Sequence, residues 1–210
     1  MSIENVSKDD IVETNFRRMV DNLAKPGVSI LMDLTSQKAH ILHMAIGIMG
    51  ETIELKRALM NDDGTNLREE CGDLEFYIVG AQDPSFLGFC LDQKDIPKPD
   101  VKYSFQMRHP CHQYSTYDLL VLADDMTLCA GDLLDDVKKW TIYDNPKNLC
   151  FVPIRLHHLL DMLNKIYRSI GVTRTQIKEA NIEKLALRYP DGVFTCAHAI
   201  ERADKEPGVE

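Results

Sequence analysis

Four carboxylates in two evenly spaced pairs carry the chemistry this chain could perform: Glu51 with Glu54, and Glu70 with Asp73. Residues three apart on a helix share a face. Each pair therefore offers two oxygen donors in one direction. The turn sequence Asn61-Asp62-Asp63-Gly64 separates the segments 35–60 and 66–81 that hold them, which predicts a helical hairpin with the two pairs facing each other. At about 100° per residue, the stripe through Glu51 holds His40, Met44, Gly47, Glu54 and Ala58. The stripe through Glu70 holds Asn66, Asp73, Leu74, Tyr77 and Ala81. Both stripes are mostly small or apolar, so the acids point inward, between helices. Four carboxylates in a partly dry groove repel one another and lose hydration, at several kcal/mol each. A cation is the remedy. Oxygen-only donors suit a hard divalent ion, Mg²⁺ with Mn²⁺ as a substitute, which keeps part of its water and binds phosphate oxygens. The plainer reading is a pair of amphipathic helices with solvated acids. Two facing pairs on apolar stripes favour the metal.

The elements that must position these acids follow from capping and periodicity. Ser7 with Asp10 opens a helix over 8–24, in which Ile11, Phe16, Met19, Val20 and Leu23 recur at helical spacing, and Pro26-Gly27 stops it. Thr35 or Ser36 starts the long helix that carries Glu51 and Glu54. Gly47 and Gly50 inside it each cost about 1 kcal/mol against alanine, which a close neighbour on that side would justify. Asn66 with Glu69 reads as a capping-box variant for the next helix. Over 83–112 four prolines, Gly88 and scattered aromatics replace the pattern, with a short strand expected at 101–107. Helical spacing returns over 115–140, 153–170 and 173–189, the last opened by Thr173 with Gln176, and Thr195 caps a short final helix. The expectation is one all-α domain over 1–210, with the hairpin packed against the helices at 153–170 and 173–189 and an insertion at about 83–150.

Within that insertion Gly131-Asp132-Leu133-Leu134-Asp135 echoes Gly50-Glu51-Thr52-Ile53-Glu54. Asp132, Asp135, Asp136 and Lys139 lie opposite Met126, Leu133, Val137 and Trp140, so they are expected to face water, as in a decayed repeat and not a second metal site. The net charge of −9 argues against binding a nucleic-acid polymer, whose phosphates are held by Lys and Arg. No apolar run reaches the roughly 18 residues of a membrane span, and the start resembles no secretory signal, so a cytoplasmic protein is expected. Six cysteines without a CxxC pair fit a thiol-keeping compartment. His109-Pro110-Cys111-His112 could form half of a zinc site, but no second half stands out, and no zinc site is expected.

The run Leu42-His43-Met44-Ala45-Ile46-Gly47-Ile48-Met49-Gly50-Glu51-Thr52-Ile53-Glu54-Leu55, then Glu69-Glu70-Cys71-Gly72-Asp73-Leu74, resembles the MazG-like all-α nucleoside triphosphate pyrophosphatases. Their mark is ExxE, a spacer and ExxD. A third run, Glu179-Ala180-Asn181-Ile182-Glu183-Lys184-Leu185-Ala186-Leu187-Arg188-Tyr189-Pro190-Asp191-Gly192, is similar to the closing helix of many phage and bacterial members. The resemblance implies a helical bundle and Mg²⁺-dependent hydrolysis of a (deoxy)nucleoside triphosphate to the monophosphate and pyrophosphate. Glu51, Glu54, Glu70 and Asp73 would be the ligands, with Glu54 accepting the proton of the attacking water. Asn181, Lys184 and Arg188 share a helix face, and the resemblance assigns such positions to phosphate and sugar. Tyr77, one turn beyond Asp73, could stack on a base, and His43 is a second candidate for base or sugar. A homodimer or homotetramer and a role in nucleotide-pool control are also implied. The residues do not select a base: the MazZ-like branch acting on dGTP and an all-α dUTPase are both open. A non-catalytic helical oligomerisation protein is the alternative from another class.

Overall fold

Asp62 adopts a left-handed backbone, φ 53°, and this residue turns the chain between the two acid-bearing helices. The Asp63 amide bonds back to the Ala58 carbonyl at 3.0 Å, closing the end of α3 (Ser36–Met60). The Asp63 carboxylate then accepts from the Asn66 amide at 3.0 Å and opens α4 (Gly64–Ala81). The expected cap at Asn66 is thus corrected: the helix begins two residues earlier, because Asp63 stands where its side chain reaches the unpaired amides of the first turn.

These elements belong to a computed structural model that describes residues 7–83 and 114–204. Among the described residues every regular element is helical. Ahead of the hairpin come α1 (Lys8–Leu23) and α2 (Gly27–Asp33); after it come α5 (Thr116–Tyr143), a 3₁₀ turn at Pro146–Phe151, α6 (Val152–Ser169), α7 (Arg174–Arg188) and α8 (Cys196–Glu201). Ser7, Ser115 and Thr173 form the capping boxes of α1, α5 and α7, and Thr195 caps α8. The strand expected at 101–107 and the half zinc motif at 109–112 lie outside the described residues. No described helix is long and apolar enough to cross a membrane.

The chain divides into two compact units, Met1–Thr35 and Ser36–Glu210. In the first, α1 and α2 bury none of their residues. Phe16 is 57% exposed and Leu23 76% exposed, so the helical stripe read from the sequence is present but uncovered.

In the second unit α3 packs on α4 along one side and on α5 along the other, while α6 lies on α5 and α7 on α4. Ile41, Ile48 and Leu55 of α3 meet Leu74 and Ile78 of α4 and Leu122, Met126 and Leu133 of α5 in one core, closed by Leu156 and Leu159 of α6. Burying side chains of this size stabilises by about 1.5–3 kcal/mol each. The hairpin does meet α6 and α7, through α4, but the second neighbour of α3 is α5. The helix read as the later part of an insertion is therefore a central core element. Its stripe explains why: Leu119, Leu122, Ala123, Met126, Cys129, Ala130, Leu133 and Val137 are all buried.

One expectation about α5 is corrected. Asp136 does not face water but is 3% exposed. It accepts from Arg155 Nε at 2.8 Å and from Asn148 Nδ2 at 2.8 Å, partners that arrive from α6 and the 3₁₀ turn. Arg155 also reaches Asp132 at 3.0 Å, and Asp135 is paired with Lys138 and Lys139, so side-chain cations already neutralise both acids of the echo motif.

Candidate metal centre

The hairpin brings Glu51 from α3 together with Glu70 and Asp73 from α4, their nearest carboxylate oxygens all within 4.8 Å of one another. Glu70 is 6% exposed, while Glu51 and Asp73 are half-buried. Glu54, the fourth acid, lies one turn further along α3; it is exposed and outside this trio, although its charge is felt by Glu51 and Glu70. The trio shows the electrostatic conflict expected of acids without a cation. Burial, and then a hydrogen bond shared with Glu70 and the charges of Asp73, Glu70 and Glu54, push the Glu51 carboxyl up to about 8. Burial also raises Glu70. Two such carboxyls disfavour each other's charge, and a divalent ion would relieve that conflict.

Cations and donors come from α7. Lys184 Nζ lies 2.5 Å from Asp73 Oδ2, and Asn181 Nδ2 donates to Asp73 Oδ1 at 2.7 Å. Their reach depends on Gly72: a Cβ there would stand 3.0 Å from the Asn181 Cβ, so α7 can approach α4 only over a residue without a side chain. Gly47 has the same role inside the hairpin, where a Cβ would collide with the Tyr77 ring. The neighbour that excuses Gly47 is thus a side chain of the partner helix. Gly50 has nothing within 4 Å of such a Cβ, and the structure gives no reason for its cost.

A groove of about 660 Å³ opens beside Asp73. His43, Tyr77, Arg188, Tyr189 and Phe194 line it. Tyr77 meets His43 edge-on at 5.9 Å between ring centroids, and Tyr189 lies 5.8 Å from Phe194. Rings line much of the groove, and Asp73 is the member of the trio that borders it. Arg188 is held by Asp204, with Nε donating to Oδ1 at 2.6 Å, and the guanidinium keeps the Asp204 carboxyl below the usual carboxylate range. Burial, then the charges of Glu51 and Asp73, raise the Tyr77 phenol. All five residues singled out in the sequence for substrate contact, His43, Tyr77, Asn181, Lys184 and Arg188, therefore touch Asp73 or line the groove beside it.

Sequence reasoning missed Tyr189 and Phe194, and it missed Glu75. This further α4 acid is 2% exposed. It accepts from Arg174 Nε at 2.7 Å and from the Tyr167 hydroxyl at 3.1 Å, with Lys178 at 3.4 Å. The signal was available, since Cys71, Leu74, Glu75 and Ile78 follow i, i+3, i+4, i+7 and place Glu75 on the buried stripe. With three donors from α6 and α7, Glu75 fastens these helices to α4 just behind the trio.

Comparison of the chain with protein-family models, with curated proteins and with solved structures finds no match.

Proposed function

We propose that this protein is a metal-dependent nucleoside triphosphate pyrophosphohydrolase that acts on a (deoxy)nucleoside triphosphate of the cytoplasmic pool. The observation that carries the reading is the convergence of Glu51, Glu70 and Asp73 within 4.8 Å, next to Lys184 and at the end of a ring-lined groove. The residues fit a hard divalent ion: the donors are all carboxylate oxygens, they come from two helices pinned by a shared core, and they carry a conflict that a cation relieves. Glu51, Glu70 and Asp73 would hold Mg²⁺, or Mn²⁺ in its place, with Glu54 at the edge of the set. When bound, the ion supplies a water of lowered pKa and neutralises charge on phosphate oxygens.

The chain's own residues supply the rest. Glu54 stands outside the trio, exposed, where it can accept the proton of the water that attacks the α-phosphorus. As the new P–O bond forms, the bond from the α-phosphorus to the bridging oxygen breaks and pyrophosphate leaves with the electron pair. Lys184 and Arg188, one turn apart on α7, face the negative charge that gathers on the leaving group. Tyr77, His43, Tyr189 and Phe194 offer ring faces and edges for a nucleobase. Asn181 orients Asp73.

The test is a panel of dNTPs and NTPs incubated with the protein and Mg²⁺ or Mn²⁺, read for monophosphate and pyrophosphate. Release that depends on the ion supports the enzyme, and a strict preference for dUTP would assign it to the dUTPase alternative. No release from any triphosphate would leave the non-catalytic oligomerisation protein as the better reading. The uncovered stripes of α1 and α2 support self-association in either case, and a homodimer or homotetramer is the assembly proposed.

A further inference from the structure

Both oxygens of Asp73 are already engaged. Asn181 donates to one and the Lys184 ammonium, only 12% exposed, sits on the other. The place where the trio needs positive charge is thus filled by a side chain on a neighbouring helix. Lys184 is a point charge on a flexible four-carbon stem, whereas Asn181 is neutral. A divalent ion held by the same carboxylate would stand a few ångströms from that ammonium, and two cations at such a distance repel strongly in a partly dry site. Asn181 can stay; Lys184 cannot keep its position.

We propose that Lys184 is an exchangeable counter-ion. It neutralises Asp73 until the metal enters, and it is then driven off that carboxylate onto a phosphate of the incoming triphosphate. The inference rests on the metal-dependent reading above and adds to it an order and a coupling. Metal loading releases the lysine that the anion needs, and the anion, by holding the lysine away, favours the metal. Such a linkage must be reciprocal. Arg188 differs, because its guanidinium is fixed by Asp204 and is no part of the exchange.

The exchange gives two effects of opposite sign at one residue, which a lysine of merely structural value would not give. Mn²⁺ binding to the full chain is measured from the loss of the free-ion electron paramagnetic resonance signal, without nucleotide, for wild type, Lys184→Met and Lys184→Gln. Binding of inorganic triphosphate preloaded with Mn²⁺ is then measured by calorimetry on the same three proteins. Both variants should bind Mn²⁺ at least threefold more tightly than wild type and the Mn²⁺–triphosphate complex at least tenfold more weakly. Mn²⁺ affinity that is unchanged or weaker in both variants overturns the exchange while leaving the metal site standing. Tighter Mn²⁺ with undiminished triphosphate binding also overturns it, since the lysine would then not pass to phosphate. Absence of Mn²⁺ binding by wild type and variants at millimolar ion would reject the metal reading itself, and the exchange with it.

Discussion

Each carboxylate of the trio is costly by itself, and the cost is measurable in the protein without metal. In the proposed metal site Glu51→Gln and Asp73→Asn would remove a ligand charge, so turnover with Mg²⁺ should fall by at least a hundredfold, on the order of 3 kcal/mol, because a neutral amide holds the ion far more weakly. The Glu51 variant should melt at or above the wild-type temperature in EDTA, since it relieves repulsion among half-buried acids. A Glu51 variant with near wild-type activity would contradict its role. The raised carboxyl also fixes a pH dependence. Glu51 has its pKa raised from 4.5 to about 8 on folding, so between these values the folded chain binds more protons than the unfolded one. The stabilisation is complete below about pH 4.5 and is lost as pH rises to about 8, with a slope of at most about 1.4 kcal/mol per pH unit. Glu70, shifted the same way, adds to the same trend. Urea unfolding in EDTA at pH 5, 6.5 and 8 should show it, and Glu51→Gln should flatten it. Stability that rises over this range would contradict the assigned shift.

The helices were legible because apolar spacing and caps are local. Ser7, Thr173 and Thr195 cap where their neighbours indicate, and the hairpin turn and three of its four facing acids follow from one stretch of chain. What was not legible depends on partners distant in sequence. Asp136 reads as a solvated residue until Arg155 arrives from α6, and Glu75 reads as an acid on an apolar stripe until Arg174 and Tyr167 reach it. The central place of α5 was hidden because the irregular stretch before it suggested an excursion from the bundle. Two predictions belong to this scale. Arg174→Ala leaves the Glu75 carboxylate buried with fewer donors and should destabilise by about 1–3 kcal/mol, whereas Glu75→Gln should cost less; equal stability of Arg174→Ala and wild type in urea would contradict the fastening role. Gly47→Val puts a branched side chain against the Tyr77 ring and should cost about 1–3 kcal/mol. It should also raise the KM for a triphosphate through displacement of Tyr77, a change that a simple packing loss elsewhere in α3 would not produce.

The whole chain presents two units with different needs. The unit Ser36–Glu210 has a closed core, while α1 and α2 of Met1–Thr35 leave Ile11, Phe16, Leu23, Leu31 and Met32 uncovered. Isolated helices of this length are marginal in water, so the assembly should bury them. Light scattering of the full chain should give the mass of a dimer or tetramer, and a monomer mass would contradict the proposed assembly. In the proposed reaction the bond that breaks joins the α-phosphorus to its bridging oxygen. Lys184 and Arg188 stand beside Asp73, where they would favour pyrophosphate as leaving group, with water entering at the α-phosphorus. Hydrolysis of a nucleoside triphosphate with Mg²⁺ in ¹⁸O-water tests this most directly. The label is expected in the nucleoside monophosphate, with none in pyrophosphate. Label in free orthophosphate, with a nucleoside diphosphate as the first product, would mean cleavage at the γ-phosphate and would contradict it.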